Sequence, residues 1–287
     1  MHPFAYMRPQ TLAEMLTLLG ERGSETAVLA GGTDLVVDLR NRTQSPAMVI
    51  DVKRVAELPR TITEIDARIR ISATAVMTDI ETDALIRARF PALAEAAATV
   101  GSIQIRNRAT LAGNICRASP AADTPPALLV YGAEVNLAAA RGTRRVALDQ
   151  FIVGPRRTVL GPGEIVTSID LPTSNERQGA AFARVTRRRG VDLATINLCC
   201  KVTAAGRAHF AYGAVGPRPF LATDESGTLA DPAAGDDAKD QVLRQLLTKA
   251  SPISDVRGSR EYRRAMLLVM SRRTLRTAIQ RLAGNLQ

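Results

Sequence analysis

The sequence predicts an α+β fold that divides into two domains near residue 175. Helix-like and strand-like patterns alternate through the first 171 residues, and a polar, turn-forming stretch at 172–179 then interrupts them. Three strand candidates and two helices follow that stretch. Because polar, turn-forming segments that contribute little to a core mark domain boundaries, we place the domains at 1–175 and 176–287.

The first fifty residues have the pattern of a β-α-β-like unit. Thr11, with Glu14 three positions later, matches a capping box that starts a helix. Apolar residues at helical spacing continue that helix as far as Gly20: Leu12, Met15, Leu16 and Leu19. The unit continues with a strand at 27–30, a tight loop at 31–34, a helix at 35–39 and a strand at 48–51.

The remaining elements follow from changes in periodicity. Alternating residues predict a half-buried strand at 70–73, and Pro91 at a first helical position favours a helix at 91–100 after another at 78–86. Residues 101–123 are expected to be irregular, and further strands are expected at 133–138, 144–148 and 165–171. Beyond the boundary we expect strands at 180–186, 193–203 and 207–215, a weakly structured stretch at 223–240, and helices at 238–250 and 259–284.

The charge of the chain does not point to a nucleic-acid partner. The net charge of +10 would suit a polyanion, but only four of the 38 basic residues are Lys, and the Arg residues are spread along the chain in short runs. Aromatic residues make up 3% of the chain and Trp is absent, so bases would find few stacking platforms. We interpret the positive charge as solvated faces or subunit contacts.

Cysteine usage and the N-terminus indicate a cytoplasmic protein. The three cysteines form no C-x-x-C pair and are too few for a four-cysteine iron–sulfur or zinc site. The first residues lack a basic region followed by an apolar run, so no signal peptide is expected. No uncharged apolar stretch approaches about 18 residues, so we expect no membrane span.

Ordinary hydrolytic and metal chemistry is poorly supported. With only His2 and His209, a Ser-His-Asp triad or a His-rich metal site is not expected. The chain has no P-loop motif, and its only G-x-G, at 161–163, lacks the third glycine of a Rossmann fingerprint. We therefore predict no catalytic residue and no metal ligand on this chain.

The first glycine loop, residues 29–35, is a candidate for phosphate binding. An apolar strand runs into Gly31 and Gly32 and then into a helix. Where side chains are missing, backbone N–H groups can approach a diphosphate closely, and the Thr33 hydroxyl adds a donor. Taken alone, the loop is equally explained as a strand-to-helix turn that binds no ligand.

A second glycine loop, residues 110–115, is followed closely by the small-residue segment 118–123. Asn114 both donates and accepts hydrogen bonds, and Asp123 is an acceptor suited to ribityl or ribose hydroxyls. The alternative is a surface loop capped by Asn and Asp, although residues 109–123 hold few aromatic or charged side chains. Two such loops suggest a long cofactor, a dinucleotide rather than a mononucleotide, lying between two subdomains.

Several motifs in the same order resemble one known family. They are Phe4-x-Tyr6-x-x-Pro9-x-Thr11-Leu12, Ala30–Leu35, Thr110–Asn114, Ala118-Ser119-Pro120-x-x-Asp123, Gly213-Ala214-Val215-Gly216-Pro217-x-Pro219 and Ser259–Arg263. Together they resemble the FAD-binding medium subunits of molybdenum hydroxylases, among them carbon monoxide dehydrogenase, bacterial xanthine dehydrogenases, aldehyde oxidoreductases and 4-hydroxybenzoyl-CoA reductase. The matches span nearly the whole chain.

The resemblance implies a vanillyl-alcohol-oxidase-like (PCMH-type) FAD domain made of two α+β subdomains, at about 1–54 and 55–175. A small C-terminal α/β domain of the CO-dehydrogenase-flavoprotein type would follow. FAD would lie extended between the subdomains. The implied cofactor-binding residues are Val28, Leu29, Ala30, Gly31, Gly32, Thr33, Asp34, Leu35, Val100, Thr110, Leu111, Ala112, Gly113, Asn114, Ser119, Asp123, Ile165, Val166 and Arg184.

The family pattern gives most of these residues a role. Residues 28–35 would wrap the diphosphate, 110–114 would complete its cradle, and Asp123 would bond cofactor hydroxyls. Ile165 or Val166 would pack near the flavin ring, and Arg184 stands where many relatives carry a Lys close to that ring. Arg and Lys differ as donors and stacking groups, so flavin reactivity is expected to differ.

Two further departures from the family pattern lie near the second loop. Ala112 stands where the family often has glycine, and we expect this position to tolerate the methyl group of alanine. The chain also passes directly from Cys116 to Asp123, without the four-cysteine insertion that some relatives carry.

The resemblance implies an electron-transfer role within a complex. A large partner subunit would oxidise the substrate at a molybdenum–pterin centre, and a small partner with two [2Fe–2S] clusters would pass single electrons to FAD on this chain. NAD⁺, O₂, a quinone or another carrier would then accept them. One alternative is a self-contained flavoprotein oxidase or dehydrogenase of the same fold, although the region after residue 179 has no evident catalytic His or Tyr pair. Another is an assembly protein without flavin, which the intact loops disfavour.

Overall fold

The computed structural model describes residues 1–284. The strands are β1 (Ala5–Met7), β2 (Thr26–Leu29), β3 (Met48–Asp51), β4 (Ile62–Ile65), β5 (Arg68–Ser72), β6 (Glu134–Ala139), β7 (Gly142–Ala147), β8 (Ile152–Gly154), β9 (Arg157–Thr158), β10 (Ile165–Pro172), β11 (Gln178–Val185), β12 (Ile196–Thr203), β13 (Ala208–Gly213) and β14 (Phe220–Asp224). The helices are α1 (Leu12–Arg22), α2 (Leu35–Arg40), α3 (Met77–Thr82), α4 (Ala84–Arg89), α5 (Pro91–Ala98), α6 (Ile103–Arg106), α7 (Leu111–Arg117), α8 (Thr124–Val130), α9 (Leu148–Phe151), α10 (Asp236–Leu246) and α11 (Arg260–Leu282). The predicted α+β class is confirmed.

A parallel three-stranded sheet in the order β1-β3-β2 organises the first fifty residues. The hydroxyl of Thr11 accepts the backbone N–H of Glu14, as the capping box requires. The Glu14 carboxylate instead accepts the N–H of Gln10, so only half of the capping box forms. Helix α1 also continues past Gly20 to a C-cap at Gly23, because one glycine costs a helix only about 1 kcal/mol.

The second sheet is antiparallel, in the order β4-β5-β10-β6-β7. Its central strand β10 carries Ile165 and Val166, which are both buried but belong to different cores. Val166 packs into the large core with α3, α5, α7 and α8, whereas Ile165 packs toward α1 and the first sheet. Since successive side chains of a strand point to opposite faces, this sheet is shared by two apolar cores.

The prediction that residues 101–123 are irregular is wrong. That region contains α6 and α7, and α8 follows it directly. These helices have only four to seven residues, too few for a 3.6-residue periodicity to show. The single helix predicted at 78–86 is also interrupted, because Asp83 ends α3 and caps α4 by accepting the N–H of Ile86.

The C-terminal region is an antiparallel sheet in the order β11-β12-β13-β14. One face packs on the long helix α11, and the opposite face packs on α5 and α8. Strand β14 was not predicted as a strand, and its last two residues overlap the start of the stretch predicted to be weakly structured. Within residues 1–284, no helix combines the length and the apolar character needed to cross a membrane.

Candidate functional site

The two glycine loops line the same cleft, which has a volume of about 430 Å³. The cleft lies between the first three-stranded sheet and helices α6 and α7. It is lined by Thr26, Ala27, Val28, Ala30, Gly31, Gly32, Thr33, Asp34, Leu35, Asp38, Gln44, Val100, Ile105, Ala109, Thr110, Gly113, Asn114, Cys116, Arg117 and Arg156. Residues far apart in the sequence thus form one concave surface.

Gly31 lets the two loops touch. A Cβ atom at this position would lie 2.1 Å from the carbonyl oxygen of Arg108 and 2.9 Å from the Cα of Ala109. Both obstacles are backbone atoms, so the neighbour cannot rotate away as a side chain would. The first loop therefore needs glycine at position 31 to lie against the chain that leads into the second loop.

Gly32 turns the first loop into helix α2 with its amides free. Its φ of +78° lies in the left-handed region that glycine adopts without strain. Helix α2 has no side-chain cap, and the N–H groups of residues 32–35 find no hydrogen-bond partner within the described chain. Four consecutive amide donors are thus left available on the wall of the cleft.

The second loop is the capped start of helix α7. The Thr110 hydroxyl accepts the N–H of Gly113 at 3.0 Å, and Asn114 Oδ1 accepts the hydroxyl of Thr124 at 2.6 Å. Leu111 and Ala112 are buried in the large core rather than in the cleft. Of the predicted residues in this loop, Thr110, Gly113 and Asn114 form the cleft wall.

An ion-pair cluster joins the two sides of the cleft, and sequence reasoning did not single it out. The Arg117 guanidinium of α7 pairs with Asp38 of α2 and lies 3.6 Å from Asp34, while Arg156 lies 3.9 Å from Asp38. The hydrogen bond from Arg117 lowers the pKa of Asp38 below its usual value despite burial. The only sequence signal for Asp38 was its place on the predicted helix at 35–39, four residues after Asp34.

The segment 118–123 lies beside the cleft and against the C-terminal sheet. Asp123 is buried, and its Oδ2 accepts a hydrogen bond from Arg184 at 2.7 Å. Its Oδ1 accepts one from the Asn197 amide at 3.0 Å. Burial raises the pKa of Asp123, and the Asn197 amide and the Arg184 guanidinium oppose that rise.

The other predicted site residues divide between the cleft and the protein interior. Val28 and Val100 line the cleft, whereas Leu29, the next residue of β2 after Val28, does not. Seven further predicted residues also lie outside the cleft lining: Leu111, Ala112, Ser119, Asp123, Ile165, Val166 and Arg184. Arg184 forms an ion pair with Asp123. Their contact with a cofactor stays a prediction from the family pattern.

The cleft has the features that a nucleotide diphosphate requires. Free amide donors, a threonine hydroxyl and two glycines provide neutral donors and let a phosphate approach the backbone. The two walls already fit closely, because a Cβ on Gly31 would collide with the backbone that leads into the second loop. The fold and the cleft together define an α+β protein with a cleft suited to a dinucleotide.

Comparison with protein families then identifies the dinucleotide. Residues 2–174 match the FAD binding domain in molybdopterin dehydrogenase, and residues 180–278 match the CO dehydrogenase flavoprotein C-terminal domain. The chain belongs to the family of FAD-binding medium subunits of molybdenum hydroxylases, and FAD is its cofactor.

Individual relatives agree with this assignment over almost their full length. The glyceraldehyde dehydrogenase medium chain of Sulfolobus acidocaldarius is 31% identical over 272 residues, covering 93% of this chain and 95% of the relative. The carbon monoxide dehydrogenase medium chain of Hydrogenophaga pseudoflava is 31% identical and covers 98% of each chain. The solved structure of reconstituted CO dehydrogenase from Oligotropha carboxidovorans superimposes with a TM-score of 0.90 at 28% identity, over 98% of this chain and 99% of that one.

Proposed function

We propose that this chain is the electron-transfer subunit of a three-subunit molybdenum hydroxylase. Electrons would arrive from [2Fe–2S] clusters of a small partner subunit and leave through FAD to NAD⁺, O₂, a quinone or another carrier. Substrate oxidation would take place at the molybdenum–pterin centre of a large partner subunit. The observation that supports this proposal is the single cleft formed by both glycine loops in a chain of this family.

The residues of this chain would bind and orient the cofactor. We propose that the free amides of residues 32–35 hold the diphosphate, because neutral backbone donors bind phosphate without a counter-ion of their own. Thr110, Gly113 and Asn114 would complete the opposite wall, and Val28 and Val100 would exclude water from it. A bound flavin supplies exchange between one-electron and two-electron transfer.

We propose a division of the chain into domains at 1–175 and 176–287, with the first domain split at about residue 54. The proposed boundary lies between Pro172, which ends β10, and Gln178, which begins β11. With this boundary, the ion pair between Arg184 on β11 and Asp123 joins the second domain to the first.

The experiment compares the chain alone with the reconstituted complex. The purified chain should be yellow, carry close to one FAD per chain and turn over none of the substrates tested. When a partner molybdenum subunit and a partner iron–sulfur subunit are added, substrate should bleach the flavin absorption and an acceptor should restore it. The two-subunit mixture without the iron–sulfur chain is the matched control and should leave the flavin oxidised.

Two outcomes would contradict the proposal. A colourless chain that fails to take up added FAD would remove the electron-transfer role. A chain that oxidises a substrate completely without partners would instead be a self-contained flavoprotein.

A further inference from the structure

Three residues form a straight row across the C-terminal sheet. The strand register places Arg184 of β11 opposite Asn197 of β12, and Asn197 opposite Gly213 of β13. Directly opposed residues of antiparallel strands project on the same face. This face is the one that packs on α5 and α8, so the row meets the first domain at the beginning of β12.

The row holds the segment 118–123 by hydrogen bonds to both backbone and side chain. Asn197 Nδ2 donates to the carbonyl oxygen of Ala122 at 2.9 Å and to Oδ1 of Asp123 at 3.0 Å. Arg184 donates to the other carboxylate oxygen of Asp123. The N–H of Ala214, next to the row, donates to the carbonyl oxygen of Pro120 at 2.7 Å. Four hydrogen bonds thus fix six residues.

The shape of the row depends on the Asn197 side chain. A Cβ atom on Gly213 would lie 2.1 Å from Asn197 Oδ1, so glycine leaves the space that the amide fills. Asn197 is fully buried, and its Oδ1 has no hydrogen-bond partner within the described residues. Such an orphaned acceptor is costly, which indicates that the amide is retained for the donors on its Nδ2.

The segment that Asn197 holds is connected directly to the cleft. Its first residue, Ala118, ends α7 with a left-handed φ of +48°, and its carbonyl oxygen accepts the N–H of Arg156 at 3.0 Å. Helix α7 carries Asn114 and Arg117, and Arg156 itself lines the cleft. A shift of the segment therefore displaces one wall of the cleft.

We propose that Asn197 is a positioning residue through which the C-terminal domain sets the affinity of the cleft for FAD. It acts on the cofactor through segment 118–123 and α7. The inference rests on the proposed placement of FAD in this cleft. Arg184 is a second side-chain anchor of the same segment, but Asn197 is the side chain that also holds its backbone.

The test measures FAD affinity by flavin fluorescence quenching in the full chain. Asn197→Ala should raise the dissociation constant at least tenfold and change the visible circular dichroism of bound flavin. Tyr212→Phe is the matched control, because it removes a buried hydrogen bond to Ser271 in the same sheet without touching the segment. That control should leave the dissociation constant within twofold.

A double variant separates positioning from general loss of stability. Gly213→Ala displaces the amide without removing it, so it should weaken FAD binding as Asn197→Ala does. In Asn197→Ala the obstructing oxygen is gone, and the added Cβ then meets only Pro126 Cγ, at 3.2 Å, which has to move by a few tenths of an ångström. Adding Gly213→Ala should therefore cost less than twofold more. Such non-additivity is expected only for residues that act through one contact.

The outcomes are distinguishable from those of the proposed function. If the unmodified chain binds no FAD, the proposed function fails together with this inference. If it binds FAD and Asn197→Ala binds equally well with an unchanged spectrum, only the positioning role of Asn197 is overturned. Additive losses in the double variant also overturn it. Asn197→Ser, with a shorter donor, is measured by the same criteria if Asn197→Ala does not fold.

Discussion

The two glycine loops have similar sequences but are built differently. In the first loop, Gly31 has no side chain, and an added Cβ would lie 2.1 Å from the carbonyl oxygen of Arg108. The amides of residues 32–35 stay free. In the second loop, Thr110 caps a helix and takes up the amide of Gly113. The first loop therefore offers hydrogen-bond donors to a ligand, whereas the second uses its own donors internally.

This difference shows that small residues serve two separate purposes around one cleft. At Gly31 and Gly32 the missing side chain is required by a close approach and by a positive φ. At Ala112 and Gly113 smallness allows a short helix to pack beside the cleft, and a methyl group is accommodated more easily. Substitutions that add one methyl group should therefore separate the two loops.

The largest effect is expected for Gly31→Ala. The added methyl group would meet the backbone of Arg108 and Ala109, which cannot rotate away. We expect the free energy of unfolding to fall by about 3 kcal/mol and FAD binding to be lost, as measured by urea unfolding and fluorescence titration. Gly20→Ala is the control, since nothing lies within 4 Å and a helical alanine should stabilise by up to about 1 kcal/mol. Equal effects of the two variants would contradict the close approach.

Breaking the ion pair between the loops should have the next largest effect and a defined pH dependence. The hydrogen bond from Arg117 lowers the pKa of Asp38 in the folded state. The stability that the pair contributes is therefore fully present above the usual value of 3.8 and is lost as the pH falls through the lowered folded value. Asp38→Asn should cost about 2 kcal/mol at pH 7 and progressively less on acidification. Chemical unfolding at several pH values measures this. Glu64→Gln, in an exposed pair with Arg89, should cost under about 0.5 kcal/mol.

Gly32→Ala tests the positive φ rather than the close approach. The nearest atom, 2.8 Å from the added Cβ, is the end of the Leu29 side chain, which can move. The remaining cost is that of a left-handed backbone, about 1 kcal/mol. Gly32→Asn should cost less, because asparagine adopts this region more readily. Thermal unfolding compares the two variants, and an asparagine that is no better than alanine would argue against backbone strain as the cause.

The smallest effect is expected for Gly113→Ala. Alanine improves helix propensity by up to about 1 kcal/mol, while its Cβ would press on the Thr110 hydroxyl at 2.9 Å. These contributions oppose each other, so we expect a change of under about 0.5 kcal/mol in urea unfolding and less than threefold in FAD affinity. A loss comparable with that of Gly31→Ala would show that the second loop also offers its backbone to the ligand.

The sequence predicted those parts of the site that depend on local patterns. The first loop could be found because small residues follow an apolar strand, and the strands at 48–51 and 165–171 could be found from their apolar runs. Helices α6 to α8 were missed because their turns are short and rich in small residues. The division of the helix at Asp83 was missed because an aspartate that caps a helix cannot be distinguished in the sequence from an aspartate on a helix surface.

Contacts between distant residues could not be predicted from local patterns. Arg117 and Asp38 are 79 positions apart, and neither belongs to a motif that requires the other. The row of Arg184, Asn197 and Gly213 depends on the register of three strands, which a single sequence does not specify. The family resemblance did point to Arg184, but it did not indicate Asn197.

The sharing of β10 between two cores has a consequence for synthesis on the ribosome. The core beneath α1 includes Met15 and Ile50 but is closed by Ala138 and Ile165, which are made more than eighty residues later. A nascent chain that has emerged only through residue 54 therefore exposes an apolar face, which favours association with chaperones. The part of the chain that is made first is sealed only after β10 has left the exit tunnel.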